Sequence, residues 1–201
     1  IAGLHEPTGG RVLLDGVDAT ELDATTRRAA TSVVFQHPYL LDGTIRDNVL
    51  VGNPDADQES LQRATELARV DELVARLPDG TDTRVGEAGA ALSGGERQRV
   101  SIARALLKPA PVLLVDDATS AEATENEAAI VAALSSEPRP RTRVIVAHRL
   151  ASISQADRVL FVDDGRVVED GTIDELRAAG GRFDEVWRQQ NDAAGWQIHA
   201  G

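Results

Sequence analysis

Nothing in this chain constrains its fold more than Ala91-Leu92-Ser93-Gly94-Gly95-Glu96-Arg97-Gln98-Arg99, followed after a helix-length gap by Pro111-Val112-Leu113-Leu114-Val115-Asp116-Asp117. The first stretch is a glycine turn that opens a helix, with Ser93 placed to cap it. The second is an apolar strand ending in paired carboxylates. Backbone N–H groups freed at a helix start suit a phosphate, and a carboxylate at a strand end suits Mg²⁺, so together they point to a nucleotide site. The loop that ordinarily cradles phosphate, G-x-x-x-x-G-K-[ST], does not occur in the 201 residues, whose single lysine is Lys108.

The rest of the pattern is that of an α/β fold with a parallel sheet. Residues 10–16 read as a short strand between glycine turns and Ser32 to Gln36 as a second strand. From Gly43 to about Leu77 the periodicity is helical, carried by Leu61, Ala64, Leu67, Ala68 and Val70, until Pro78 stops it. The helix behind Ser93 turns Val100, Ala103, Leu106 and Leu107 to a core. Buried strands are expected at Val112 to Val115, Val144 to Ala147 and Val159 to Val162, with a helix from Glu122 to Leu134 between the first two, a βαβ rhythm. Asp163-Asp164-Gly165 reads as a hairpin turn, Thr172 as a helix cap, and Arg182 to Asn191 as a last amphipathic helix.

Charge and composition narrow the partners. With 33 acidic against 21 basic residues the net charge is −12, which repels nucleic acid and anionic lipid, so no nucleic-acid partner is expected. There is no cysteine, hence no disulfide framework and no thiolate zinc site. No apolar run approaches the ~20 residues of a membrane helix. The chain begins at Ile1 without a signal peptide and is expected to be a piece of something longer.

Over nearly its whole length the chain resembles the nucleotide-binding domain of ABC transporters. Ala91 to Arg99 is similar to the ABC signature, Val112 to Asp117 to Walker B, Gln36 to the Q-loop glutamine, and His148 in Val144-Ile145-Val146-Ala147-His148-Arg149-Leu150 to the switch histidine. A Ser-Gly-Gly turn alone is common; four elements in the family's order and spacing are specific. Thr83-Arg84-Val85-Gly86-Glu87-Ala88-Gly89 further resembles the T-x-V-G-E-x-G loop of exporter-type members, which relays motion to membrane helices.

The resemblance implies a RecA-like P-loop NTPase core with a helical signature subdomain over about 43–107, the whole of 1–201 being an N-terminally truncated ABC ATPase domain. The opening residues Ile1 to Gly10 look like the segment just after the Walker A helix, so the missing parts would be Walker A, the adenine-stacking aromatic and the membrane helices. ATP and Mg²⁺ are the implied cofactors. Leu92, Ser93, Gly94, Gly95 and Glu96 would contact the γ-phosphate held by a second subunit; Asp116 and Gln36 would serve Mg²⁺; Asp117, His148 and Gln36 would serve the attacking water and γ-phosphate. The implied partners are a transmembrane domain of the same polypeptide and a second half-transporter subunit, hetero- or homodimeric, at the cytoplasmic face of the cell membrane. The 201 residues alone are expected to be inactive.

Two departures from the family matter. Asp117 stands where Walker B usually continues with the glutamate base, and one methylene fewer withdraws the carboxylate by ~1.5 Å. A base works within ~2.6–3.2 Å of its proton, so this retreat costs rate. Ala123, in Ser120-Ala121-Glu122-Ala123, replaces the D-loop aspartate. Both losses fall on one stretch while the signature is intact, the pattern of the subunit in a heterodimeric exporter whose own site is degenerate and whose signature serves its partner. Two other classes stay open: a soluble ABC ATPase of DNA maintenance or translation, disfavoured by the acidic charge and the short distance from Gln36 to Ser93, and a non-catalytic regulatory ABC subunit. The tail from Arg182 to Ile198 and the alanine-rich, arginine-for-lysine composition look similar to actinobacterial siderophore half-transporters.

Overall fold

The computed structural model describes residues 1–116, 133–134 and 137–196. The chain divides into two compact units, Ile1–Val146 and Ala147–Gly201.

In the first unit a small antiparallel pair, β1 (Leu13–Leu14) and β2 (Val17–Asp18), precedes α1 (Ala24–Ala30), whose start is capped by Asp23 accepting from Thr25 N at 2.8 Å and Thr26 N at 3.0 Å. Then comes β3 (Thr31–Val34), the edge of a parallel sheet ordered β3-β4-β5, with β4 at Val112–Asp116 and β5 at Thr142–Val146. The register pairs Val34 with Val115 and Asp116 with Val146, so all three strands deliver their C-terminal ends to one edge. The sheet is the expected parallel one, with small shifts, but β5 is not the buried strand expected: Thr142, Arg143 and Val146 are exposed. β5 begins at Thr142, two residues early, and β3 stops at Val34, because the Phe35 carbonyl leaves the ladder for the side chain of Gln98, 3.5 Å away.

The segment from 43 to 107 holds helices α2 (Ile45–Leu50), α3 (Gln58–Leu67), α4 (Val70–Val74) and α5 (Gly94–Leu107). The periodic run from Leu61 to Val70 is not one helix: Arg69 adopts φ 55°, a left-handed conformation that ends α3 and restarts the chain as α4. Val100, Ile102 and Leu106 of α5 are buried with Val34, Leu113 and Val115 of the sheet and with Leu40, Ile45 and Val49. The far end of α5 is held by arginines, Arg139 donating to the Leu106 and Lys108 carbonyls at 3.3 and 3.0 Å and Arg141 to Leu106 at 3.3 Å. Arg141 is itself paired in the interior with Glu137. The helix expected over Glu122 to Leu134 lies outside the described residues but for Ala133 and Leu134, both helical and buried.

In the second unit, α6 (Leu150–Ile153) precedes an antiparallel hairpin of β6 (Val159–Asp163) and β7 (Arg166–Gly171), and β6 is not the buried strand expected, since Leu160 and Val162 are exposed. The turn is the expected one: Asp164 and Gly165 take φ 46° and 71°, the two positive values a type I′ connection needs. Thr172 caps α7 (Ile173–Ala179), and α8 (Arg182–Trp196) begins where the Glu169 carboxylate accepts from Arg182 N at 2.6 Å and Phe183 N at 3.2 Å. No helix among the described residues is long and apolar enough to cross a membrane.

Candidate functional site

Ser93 opens α5 as predicted. Its Oγ accepts from Glu96 N at 3.3 Å, and its own N–H donates to Glu96 Oε2 at 2.8 Å, a reciprocal capping box. This arrangement uses up two of the orphan donors at the helix start and leaves the N–H groups of Gly94 and Gly95, which have no intrahelical acceptor. They sit at the positive end of a 14-residue helix, an environment suited to an anion. The box also specifies what Glu96 does. Its carboxylate is held by Ser93 N–H, and by Arg76 at 3.2 Å, and the Ser93 backbone bond above all keeps its pKa below the ordinary glutamate value. Leu92 is buried, its carbonyl accepts from Arg97 Nη1 at 2.6 Å and its N–H donates to the Gly89 carbonyl at 3.0 Å, so its polar backbone groups are engaged within the turn that leads into α5.

Asp116 ends β4 and Gln36 follows β3, so the parallel register sends both to the same edge of the sheet. The sequence places Asp116 on a buried strand, where an unpaired carboxylate is costly; it is exposed, because the interior positions of β4 are Leu113 and Val115. Exposure suits Mg²⁺, which keeps several waters and takes one or two carboxylates rather than an all-protein cage. Gln36 is also exposed, one residue beyond the Phe35 carbonyl bonded to Gln98. Asp117, Ser120 and Ala123 lie outside the described residues.

His148 belongs to the second unit, exposed in the turn before α6. That turn is fastened by a residue sequence reading did not single out: Gln190 of α8 donates from Nε2 to the His148 carbonyl at 2.9 Å and accepts from Leu150 N at 3.0 Å. The loop at Thr83 to Gly89 is tied to the segment following Gln36, through Ile45 N to Thr83 O at 3.0 Å, Val85 N to Gly43 O at 2.9 Å, and an Arg84–Asp42 ion pair at 3.1 Å. The other missed residues are Asn48 and Arg104. Asn48, buried at 1% exposure, donates from Nδ2 to the Leu41 and Thr44 carbonyls, both at 2.9 Å, and accepts at Oδ1 from Leu41 N at 2.8 Å. No local pattern announces it, since an Asn in an amphipathic stretch reads as a surface residue.

A family model described as ABC transporter matches residues 1–120, the part that contains Gln36, the signature turn and Asp116. The chain belongs to the ABC transporter family. Its ABC relatives include the mycobactin import ATP-binding/permease protein IrtB of Mycolicibacterium smegmatis, 75% identical over 198 residues that cover 98% of this chain and 34% of that protein. The IrtB protein of Mycobacterium tuberculosis strain H37Rv is 71% identical over 200 residues, 100% of this chain and 34% of that one. The Beta-(1-->2)glucan export ATP-binding/permease protein NdvA of Rhizobium etli is 46% identical over 185 residues, 92% and 32% of the two chains. Among solved structures, a bacterial Atm1-family ABC exporter with ATP bound matches with a TM-score of 0.87 at 39% identity, over 94% of this chain and 33% of that one. The chain thus spans about a third of the length of the curated relatives it matches.

Proposed function

We propose that this chain is the ATP-binding cassette of an ABC half-transporter, coupling ATP binding and hydrolysis to translocation through a transmembrane domain of the same polypeptide, at the cytoplasmic face of the membrane. The observation that carries the reading is the division of labour in the first unit: one edge of a parallel sheet gathers Gln36 and Asp116, while α5 presents its capped N-terminus at Ser93, Gly94 and Gly95. Asp116 would hold waters of a Mg²⁺ ion, and Gln36 would orient the attacking water. Mg²⁺, when bound, neutralises charge developing on the β- and γ-phosphates. Gly94 and Gly95 would donate their free N–H groups to a γ-phosphate held by a second subunit. His148 would donate to the γ-phosphate of a bound ATP, and Asp117 would accept a proton from the attacking water.

The aspartate at 117 and the alanine at 123 support an asymmetric role. This cassette contributes its signature to the partner's competent site, and its own site turns over slowly. The relatives' names support a mycobactin-type siderophore as cargo and import as the direction.

The test uses the complete parent half-transporter, purified alone and with candidate partner subunits, with Ser93→Ala and Asp117→Asn compared for ATP hydrolysis. Under the asymmetric reading Ser93→Ala abolishes activity of the mixed complex and Asp117→Asn barely changes it. Equal damage from both makes Asp117 a working base and the protein a conventional ATPase; no hydrolysis by any combination removes the ATPase reading altogether.

A further inference from the structure

The loop carrying Gln36 is fastened to α5 on both sides. Before it, Ser32 Oγ donates to the Ala105 carbonyl at 3.0 Å, and the Phe35 carbonyl accepts from Gln98 at 3.5 Å. After it, Arg104 closes the bracket with all three arms of its guanidinium: Nη1 to the Tyr39 carbonyl at 3.0 Å, Nε to the Asn48 carbonyl at 2.9 Å, and Nη2 to Asn48 Oδ1 at 2.8 Å. Asn48 passes the hold onward, because the same amide pairs with both the N–H and the C=O of Leu41. Flipping that amide would set its donors against the Leu41 N–H and the Arg104 guanidinium, so its four partners leave one orientation. Among the described residues no carboxylate pairs with Arg104; every acceptor it has is a carbonyl oxygen of the segment 39–48. Ordinary helix packing does not need such a fork. A planar fork fixes direction as well as distance, and a lysine cannot reproduce it.

We infer that Arg104 and Asn48 are positioning residues that lock the Gln36 loop to the signature helix, so that the loop and the Ser93 end of α5 move as one body. This rests on the proposed ATPase role and names its internal transmission. A shift of the loop after Gln36 reaches Tyr39, is handed through the guanidinium to the last turns of α5, and arrives at Gly94 and Gly95 along a continuous helix. Gln36 and the phosphate-facing N–H groups keep a fixed relation to each other whatever the rest of the site does. Loss of the fork leaves both groups present but their relative placement loose.

The experiment uses the full parent transporter with its partner subunit in vesicles, with Arg104→Lys and Asn48→Asp. For protein that folds, kcat for ATP is expected to fall by between about 10- and 100-fold, the cost of a misplacement near 1 Å, while KM for ATP stays within about twofold. A purely structural role would lower yield and melting temperature without separating kcat from KM, and that result overturns the proposal. The second measurement places spin labels at Leu41→Cys and Pro109→Cys, this stretch having no cysteine of its own, with any elsewhere in the parent removed. In the parent background the label distance is expected to be the same with and without ATP. In Arg104→Lys the distribution is expected to be broader even without nucleotide. A parent distance that shifts on ATP, or an Arg104→Lys distribution identical to the parent's, overturns it. A parent that hydrolyses no ATP fails the ATPase reading, while the nucleotide-free distributions still decide the lock; should Arg104→Lys not fold, the parent distances decide it.

Discussion

Gln190 grips the backbone on either side of the His148 turn with one amide, Nε2 to the His148 carbonyl at 2.9 Å and Oε1 from Leu150 N at 3.0 Å. The amide uses one donor and one acceptor on the turn that leads into α6. A Gln190→Glu chain keeps the acceptor and loses the donor. In the parent transporter we expect its kcat to drop about tenfold with KM for ATP nearly unchanged, as for a general-acid or phosphate-contacting group set loose. Steady-state kinetics check this, and an unchanged kcat removes Gln190 from the positioning of His148.

The three capping boxes make the fold sensitive to acid. Asp47, Glu96 and Glu175 each have a pKa held below the ordinary value, first by the N–H of Thr44, Ser93 and Thr172 respectively. Because the folded-state values are depressed, their contribution is complete above the unfolded carboxylate range and disappears as pH falls through the folded values. Urea midpoints should therefore decline on acidification below the ordinary carboxylate range, and Glu96→Gln should flatten part of that decline. Ser93→Ala should cost about 1 kcal/mol at neutral pH.

Gly52 marks the closest approach of the α2 end to α5. A β-carbon there would lie 2.1 Å from the Arg104 carbonyl oxygen and 3.1 Å from its carbon, and that neighbour is helix backbone. Gly52→Ala should lose about 1–3 kcal/mol through overpacking, or push the helices apart. The midpoint of chemical unfolding reads the loss. A variant as stable as the parent would mean that α2 has room to slide.

The 201 residues contain no G-x-x-x-x-G-K-[ST] loop, so titration calorimetry of the isolated chain with Mg-ATP should give no tight binding. Measurable hydrolysis by this chain alone would contradict that.

What sequence made legible was local. Ser93 announced its helix start; Asp164-Gly165 announced its turn; the run Val112 to Val115 announced a buried parallel strand. These features depend on neighbours in the chain, so composition and spacing reveal them. Arg104 and Asn48 stand 56 residues apart, and Gln190 and His148 stand 42 apart, and only the fold brings each pair together. The exposure of Asp116 was hidden for the same reason, since strand polarity and the sheet edge decide it. The break at Arg69 escaped because its left-handed backbone carries no glycine or asparagine to signal it.

The segment after Gln36 has two kinds of fastening, and they answer differently to the ionic milieu. The Arg84–Asp42 pair is exposed on both sides and loses strength as salt rises and the Debye length shrinks. The Arg104 fork binds neutral carbonyl oxygens, with the two bonds to Asn48 part-buried, so ionic screening acts on it far less. A rise in ionic strength therefore weakens one of the ties from this segment to the loop at Thr83, whose backbone hydrogen bonds remain, and leaves its link to α5 intact. Ionic strength thus tunes one connection of the segment and spares the other.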